Sequence, residues 1–559
     1  MDSAHITAGA NFEVLLAAVP RAQIKPASPE ENTCAYLLFY PLVSSCAYPL
    51  FKSRKLRPFS RKPQTTSACT AQGSPAWCDK AFTGLTDTQG SIETTVLDPP
   101  PAHVSNIPLS VLMYPGFNGK FLCEYQPWFD SKDNGNNGHK NVGYDEKLPP
   151  TAVGQDNYMV SVGCNINFVD FYGHTPGFNL DATNTVYSDI KLRSDLTFAI
   201  LEDEGAFFNA CNGTDEGATK SCIESNLEAD MDYIHNNYTL PNPSRYWMDQ
   251  GAFVVGYFGA CGDFTALNCT NDPTDWQDIW GDVNTYVNTT HSYNFKFIFN
   301  FGKFNTPSES NFQTPSITAG EYGWPQPILH YNPANSSTQF CWGNNSESPN
   351  CTQYLDTLYC DTVHGSGCSG QWSSPGQITV GILYKGFDDT PASWGKDRII
   401  AQQCGQVLID TANEMAQYFQ NNSQYTLPYV QVATWNDYEE GTEVETGINN
   451  CYTVQNVAIV GQNLQWNLMS SDSNANLDTV HHFTVWWSPY TDPNQTLHVG
   501  ATNISANSTS MSIPISHLSL PDPSPDYKLN LYVEMIGMPL IMNQMSGAVA
   551  CTVHGAECY

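Results

Sequence analysis

Basic residues are scarce in this chain. Its 559 residues hold 23 Lys and Arg against 55 Asp and Glu, a formal charge of −32. That balance repels polyphosphates and anionic bilayers, so nucleic acid and, for the mature form, a membrane are excluded as partners. No two cysteines form a CxxC pair and no Cys/His group has zinc spacing, so no structural metal is expected. EF-hand spacing is missing too, which leaves calcium little support despite the many acids. Neither a GxSxG elbow nor a Cys–His pair points to a nucleophilic hydrolase. No cofactor is called for. Long apolar runs are also few. Phe12–Val19 is short and lacks the basic start of a signal peptide, and Ala35–Val43 is broken by prolines and cysteines before the basic stretch Lys52–Lys62. Residues 1–68 hold eight of the 23 basic residues and read as atypical, either a signal or anchor or a misassigned start.

Other residues are plentiful. Eighteen cysteines in a chain of this length argue against a reducing compartment. Near neighbours such as Cys211 and Cys222, Cys261 and Cys269, Cys341 and Cys351, Cys360 and Cys368, and Cys551 and Cys558 suggest small disulfide-closed loops. Asn-x-Ser/Thr sequons begin at Asn212, Asn237, Asn268, Asn288, Asn335, Asn344, Asn350, Asn421, Asn494, Asn503 and Asn507, in keeping with the secretory route and a secreted, extracellular or cell-wall location. Aromatics are abundant, with Trp 13, Tyr 29 and Phe 27, and suit both a packed core and stacking on sugar rings.

Residues 69–104 form a polar lead-in. Apolar runs then recur at Leu109–Tyr114, Asn165–Tyr172, Leu196–Leu201, Ala252–Phe258, Phe295–Phe301, Gly320–Trp324, Ile378–Tyr384 and Tyr429–Trp435. Helical periodicity lies between several of them, most clearly over Asp397–Phe419 and more weakly over Cys222–Tyr238. Eight strands alternating with helices predict a (β/α)8 TIM-type barrel over 105–450, with Tyr331–Ser374 as an enlarged loop. After Asn450 short alternating strands and polar turns predict an all-β sandwich over 451–545, fibronectin type III-like. There Leu464–Leu468 and His482–Ser488 read as paired strands. A Cys-containing tail, 546–559, closes the chain.

The chemistry gathers after the eighth run. Tyr429–Trp435 is nearly free of charge and reads as a buried parallel strand. Asn436, Asp437, Glu439, Glu440 and Glu443 follow at once, with Gly441 among them and Glu445 just beyond. Carboxyls this close drive their pKa values apart, leaving one protonated and one ionised near neutrality. Other strand ends add Asp170 beside Tyr172, then Glu202 and Asp203, then Lys385; the stretch after the first strand brings Trp128, His139 and Tyr144. In a barrel these ends converge on one rim. Carboxyls, amides and aromatics in one pocket suit glycosidic hydrolysis, which needs a protonated carboxyl on the leaving oxygen and a second carboxylate as base or nucleophile.

The run Asn436-Asp-Tyr-Glu-Glu-Gly-Thr-Glu-Val-Glu445 resembles the Asn-acid-x-x-Glu-Gly-Thr-x-Ile-Glu signature of glycoside hydrolase family 99. It is also similar to the Trp-Asn-Asp-Tyr-Gly-Glu motif of family 71, the fungal α-1,3-glucanases. Tyr125–Phe129 with His139 and Tyr144, Val169–Gly173 and Ala199–Gly205 resemble the same barrel group. The resemblance implies an endo-acting α-glycosidase on a polysaccharide, α-1,3-glucan or α-mannan in type. Glu440 becomes the acid/base, and Asp437 the base or the group that assists attack by the sugar's own 2-hydroxyl. Asp437 is one methylene shorter than the Glu of family 99, so direct attack by water is the alternative route. Trp128, His139, Tyr144, Asp170, Tyr172, Glu202, Asp203, Lys385, Trp435, Asn436 and Glu439 are expected to bind sugar or tune the pair. A monomer is expected, and a non-catalytic carbohydrate-binding or wall glycoprotein is the rival reading.

Overall fold

The computed structural model describes residues 104–130, 142, 144–259, 263–267, 274–300, 318–325, 355, 358–360, 363, 378–392, 394–395, 398–422, 424–491, 496–521, 527–554 and 557–558. The expected insertion at Tyr331–Ser374 lies almost wholly outside them, as do His139 and Cys261, Cys269, Cys341, Cys351 and Cys368.

Eight parallel strands close on themselves. They are β1 (Lys120–Tyr125), β2 (Ile166–Phe171), β3 (Thr197–Asp203), β4 (Ala252–Phe258), β5 (Phe295–Asn300), β6 (Thr318–Tyr322), β7 (Ile378–Leu383) and β8 (Tyr429–Val432). Each pairs in parallel with its sequence neighbour, and β8 returns to β1 with Lys120 beside Tyr429 and Cys123 beside Val432. This is a TIM barrel. Every residue of β2, β7 and β8 is buried, as strands covered on both faces require.

Seven strands fall on the expected runs and the first does not. Leu109–Leu112 is a 3-10 turn behind Pro108, and the first strand begins eleven residues later at Lys120. Leu109, Met113 and Tyr114 still bury their side chains, which explains why the run looked like a strand. The real β1 was masked by a lysine, a cysteine and a glutamate within six residues. A second correction concerns the helix expected over Asp397–Phe419. Helix α5 spans only Gln406–Phe419, because Cys404 and Gly405 have φ of 56° and 86° and break the pattern. Before that break Ile399–Ile400 pairs antiparallel with Phe387–Asp388. The other long helices among the described residues are α1 (Pro149–Val162), α2 (Phe178–Ile190), α3 (Glu216–Ile234) and α4 (Thr274–Asn284). Prolines at the first turn and Gly163 at φ 97° bound α1, while Asp215 caps α3 by accepting from the Ala218 amide at 2.8 Å.

Beyond Ile448 the chain is antiparallel β. One sheet joins β9 (Tyr452–Val460), β10 (Asn463–Ser470) and β13 (Ser510–Pro514). The other joins β11 (Val480–Pro489), β12 (His498–Ser505), β14 (Tyr527–Gly537), β15 (Val549–His554) and β16 (Glu557–Cys558). Leu464–Leu468 and His482–Ser488 therefore lie in opposite sheets, not side by side. Trp466 and Phe483 meet across the core with ring centroids 5.3 Å apart.

Disulfides join Cys211 to Cys222 and Cys551 to Cys558, as neighbour spacing suggested. They also join Cys123 to Cys164 and Cys404 to Cys451, whose separations of 41 and 47 residues gave no signal in the sequence. Among the described residues no helix is long and apolar enough to cross a membrane.

The barrel and the sandwich share packing. Ile448 donates its amide to the Leu540 carbonyl and accepts from the Met542 amide, each at 2.9 Å, and the Ser105 amide reaches the Ile541 carbonyl at 2.9 Å. Leu540 and Ile541 are fully buried within the barrel's own apolar core.

Candidate active site

The chain leaving β8 folds back on itself instead of entering a helix. Val444 and Glu445 donate their amides to the carbonyls of Thr434 and Trp435, and Thr442 and Glu443 donate to the carbonyl of Asp437 at 3.1 and 3.2 Å. Thr434 Oγ1 accepts from the Asp437 amide at 2.9 Å and lies 2.9 Å from Thr442 Oγ1. Gly441, at φ 61°, makes the turn where its Cα faces Asp388; an added Cβ would meet Asp388 Cβ at 3.1 Å. Asp388 in turn donates its amide to the Glu440 carbonyl at 2.6 Å, so the β7 exit is fastened to this loop.

Burial separates the acids of the loop. Asp437, Glu439, Glu443 and Glu445 are all buried, and between Gln431 and Ile448 Glu440 alone is not. A solvated acidic turn would expose them together. Asp437 Oδ1 accepts from the amides of Glu439 and Glu440 at 2.9 and 3.0 Å. Those bonds favour the carboxylate, yet burial and the charges of Glu439 and Glu443 outweigh them and raise Asp437 to about 7.

The other strand ends bring further acids beneath the pair. Asp170 on β2 is buried, and burial with the charges of Asp203, Glu124, Asp437 and Glu440 holds its carboxyl well above the usual range. The Tyr172 hydroxyl is pushed up by burial and by Asp203, Asp170, Asp437 and Glu440, which places it on the same cluster. Asp203 caps the turn that follows β3, accepting from the Gly205 amide. Trp128 packs edge-on against Tyr172 at 5.4 Å and belongs to an aromatic group with Phe129, Tyr144 and Tyr438.

Several of the expected sugar contacts make hydrogen bonds within the protein. Trp435 is fully buried, donates its Nε1–H to Gln155 Oε1 of α1 at 2.7 Å and packs on Tyr158. Asn436 is fully buried as well: its Oδ1 accepts from the Gln126 amide at 2.8 Å, and its Nδ2 donates to Glu146 Oε1 at 2.7 Å. Tyr144 donates to Glu445 Oε1 at 2.7 Å, and Tyr438 and Gln155 donate to the same carboxylate. Lys385 is buried against Glu443 at 2.6 Å. Glu439 turns its amide to Asp437 and is buried beside it. Glu202 alternates away from Asp203 to the outer face of β3, where burial and the charge of Asp230 on α3 hold its carboxyl well above the usual range; Asp230 accepts from His174 at 2.6 Å.

Sequence reasoning missed Glu124 and Gln431. Glu124 is the last residue but one of β1, is buried, and accepts from Gln126 Nε2 at 2.9 Å and from Gln431 Nε2. Its backbone carbonyl accepts from the Trp435 amide at 2.6 Å, which ties β1 to the acidic loop. The sequence did carry a signal, since Glu124 directly precedes the Tyr125–Phe129 run. Glu146 was missed too; it joins the Phe129 amide to Asn436 across this rim. Among the described residues no group of three or more His, Cys, Asp and Glu has the arrangement of a metal site.

No protein-family model matches the chain, and no curated protein does. Solved structures of glycoside hydrolases superpose on it loosely. The family 99 endo-alpha-mannosidase from Bacteroides thetaiotaomicron gives a TM-score of 0.38 at 11% identity, over 59% of this chain and 88% of that one. With Bis-Tris-propane bound, the same enzyme gives 0.39 at 10% identity, over 59% and 87%. A family 5 glycoside hydrolase from Bacteroides vulgatus gives 0.29 at 9% identity, over 70% and 92%. Likenesses at these scores carry no argument. What defines the site is the chain's own geometry, an acid pair on a closed loop at the C-terminal mouth of an eight-stranded barrel.

Proposed function

We propose that this protein is a secreted glycoside hydrolase that cleaves α-glycosidic bonds within a polysaccharide of the α-1,3-glucan or α-mannan type, using Glu440 and Asp437. One observation carries the reading: in a loop otherwise buried from end to end, Glu440 is the one acid that keeps some exposure, and Asp437 lies three residues away with its carboxyl raised to about 7.

In this reading Glu440 protonates the departing glycosidic oxygen. Asp437 is suited to the base role, because a base works best with a pKa near the working pH. Its Oδ1 is oriented by two amides, which fixes the other oxygen for proton transfer. The proton it takes comes either from water, with inversion, or from the sugar's 2-hydroxyl, with retention. Trp128 and Tyr172 offer ring faces and edges to a pyranose on the β1–β2 side. The sequons, the disulfides and the acidic net charge support an extracellular polymer as substrate.

The test is release of oligosaccharides from α-1,3-glucan, α-mannan and mixed fungal wall, read by mass spectrometry. Wild type is expected to release them from one polymer. Glu440→Gln and Asp437→Asn should each lose about 10²–10⁴-fold in rate. Full activity in both variants would refute the assignment. Retention on a polymer without release by wild type would favour a binding protein.

A further inference from the structure

We propose that Glu124, held by Gln126 and Gln431 and faced by Asp170, forms the floor of the subsite that grips the sugar ring next to the scissile bond, and that Glu124 works there as a neutral hydrogen-bonding group. This rests on the glycosidase reading and assigns its sugar-binding floor.

Position is the first support. Side chains alternate along a strand, and Glu124, Asp170 and Gln431 share the inward face of β1, β2 and β8. In the strand register Gln431 lies level with Leu122, two residues deeper than Glu124, and the Asp437–Glu440 loop leaves the barrel above both. Floor, wall and acid pair thus follow one another up the barrel axis.

The second support is unmet hydrogen bonding. Gln126 Oε1, Gln431 Oε1 and Asp170 Oδ1 are buried acceptors without a partner, and each such atom is destabilising unless something donates to it. Three buried acceptors around one carboxyl call for a ligand rich in donors. The proton of a neutral Glu124 would serve a sugar oxygen, and hydroxyls would serve the three acceptors. A hexopyranose with vicinal hydroxyls has that chemistry, because each hydroxyl both donates and accepts.

Charge gives the third support. The titratable groups that face Glu124 are Asp170 from β2, Tyr322 from β6, and Asp437 and Glu440 from the loop after β8. None is a cation, and Lys385 is committed to Glu443. A buried carboxyl among acids keeps its proton, and burial with the charges of Asp437 and Glu440 holds Glu124 well above the usual range.

Two measurements on the full chain test this. At about pH 7, the infrared difference between wild type and Glu124→Gln should show loss of a protonated-carboxyl band. Loss of a carboxylate band would overturn the neutral role. Calorimetric titration with short oligosaccharides prepared from α-1,3-glucan and from α-mannan gives the second readout. Glutamine is neutral and can donate, so Glu124→Gln should keep affinity within about threefold, while Glu124→Ala should lose about tenfold or more. Equal loss in both variants, or no loss in either, would overturn the floor. If Glu440→Gln still abolished release in that case, the glycosidase reading would stand without it. If wild type bound no oligosaccharide and released none, both would fall.

Discussion

Asp437 and Glu440 show how differently two carboxyls three residues apart can be treated by one loop. Asp437 is buried and capped, and its raised pKa gives activity a definite pH dependence. A base must be ionised, so kcat/KM should fall as pH drops through about 7, and the pH–rate profile of wild type checks that limb. An acid limb well below that value would remove Asp437 from the base role. Lys385 and Glu443 make a different kind of pair, each about 2% exposed and 2.6 Å apart. Lys385→Met would leave a buried carboxylate without its cation and should cost about 3–5 kcal/mol, read by denaturant or thermal unfolding. The acidic cluster was legible in the sequence because its members are close neighbours in a distinctive order. Glu124 was not, since it is a single acid whose importance comes only from strands that close around it. The internal partners of Trp435 and Asn436 were likewise not legible. Conspicuous side chains at a strand end can face the helix layer or the neighbouring segment as readily as the pocket.

Seven of the eight barrel strands could be read from apolar runs because both of their faces are covered, by the barrel interior and by helices. The first could not, because β1 carries Glu124 in the site and Lys120 at its exposed start. The helix before β8 was drawn too long for a related reason: its apolar period continues into Ile399 and Ile400, which belong to a short hairpin. The acidic loop is the element that no periodicity describes. Its form depends on Gly441 at φ 61°, packed 3.1–3.3 Å (for an added Cβ) from Asp388. Gly441→Ala should cost about 1–2 kcal/mol of backbone strain and push Asp388 off the Glu440 carbonyl. The expected outcome is a fall in kcat larger than any change in KM, with an unfolding temperature lowered by only a few degrees. A variant with unchanged kcat would mean that the β7 exit does not position Glu440.

At the scale of the molecule, buried acids set the response to pH. Asp437 and Glu445 are raised to about 7 from ordinary carboxyl values, and Glu124, Asp170 and Glu146 are raised by the same burial. The folded state therefore holds protons more tightly than the unfolded chain. The stability this contributes is full below the unfolded values near 4 and is lost as pH rises through 7. Exposed Asp195, lowered by Arg193, acts in the opposite sense but is screened by solvent. Thermal unfolding followed from about pH 5 to pH 8 should show a falling midpoint. Base catalysis by Asp437 would gain over the same interval, so the enzyme would be most durable where it is slowest. The sequence made the two architectures legible but not their joint, since no local pattern announces that Leu540 and Ile541 fill the barrel's core. That joint bears on how such a protein can be inherited. Gly447, at the end of the acidic loop, packs against Val104 and Met542, which bridge to each other, and Ile448 pairs with Ile541. A recombination that carried the barrel away without the sandwich would strip the support from the loop that holds both acids, so the two parts should pass through descent together and not as exchangeable modules.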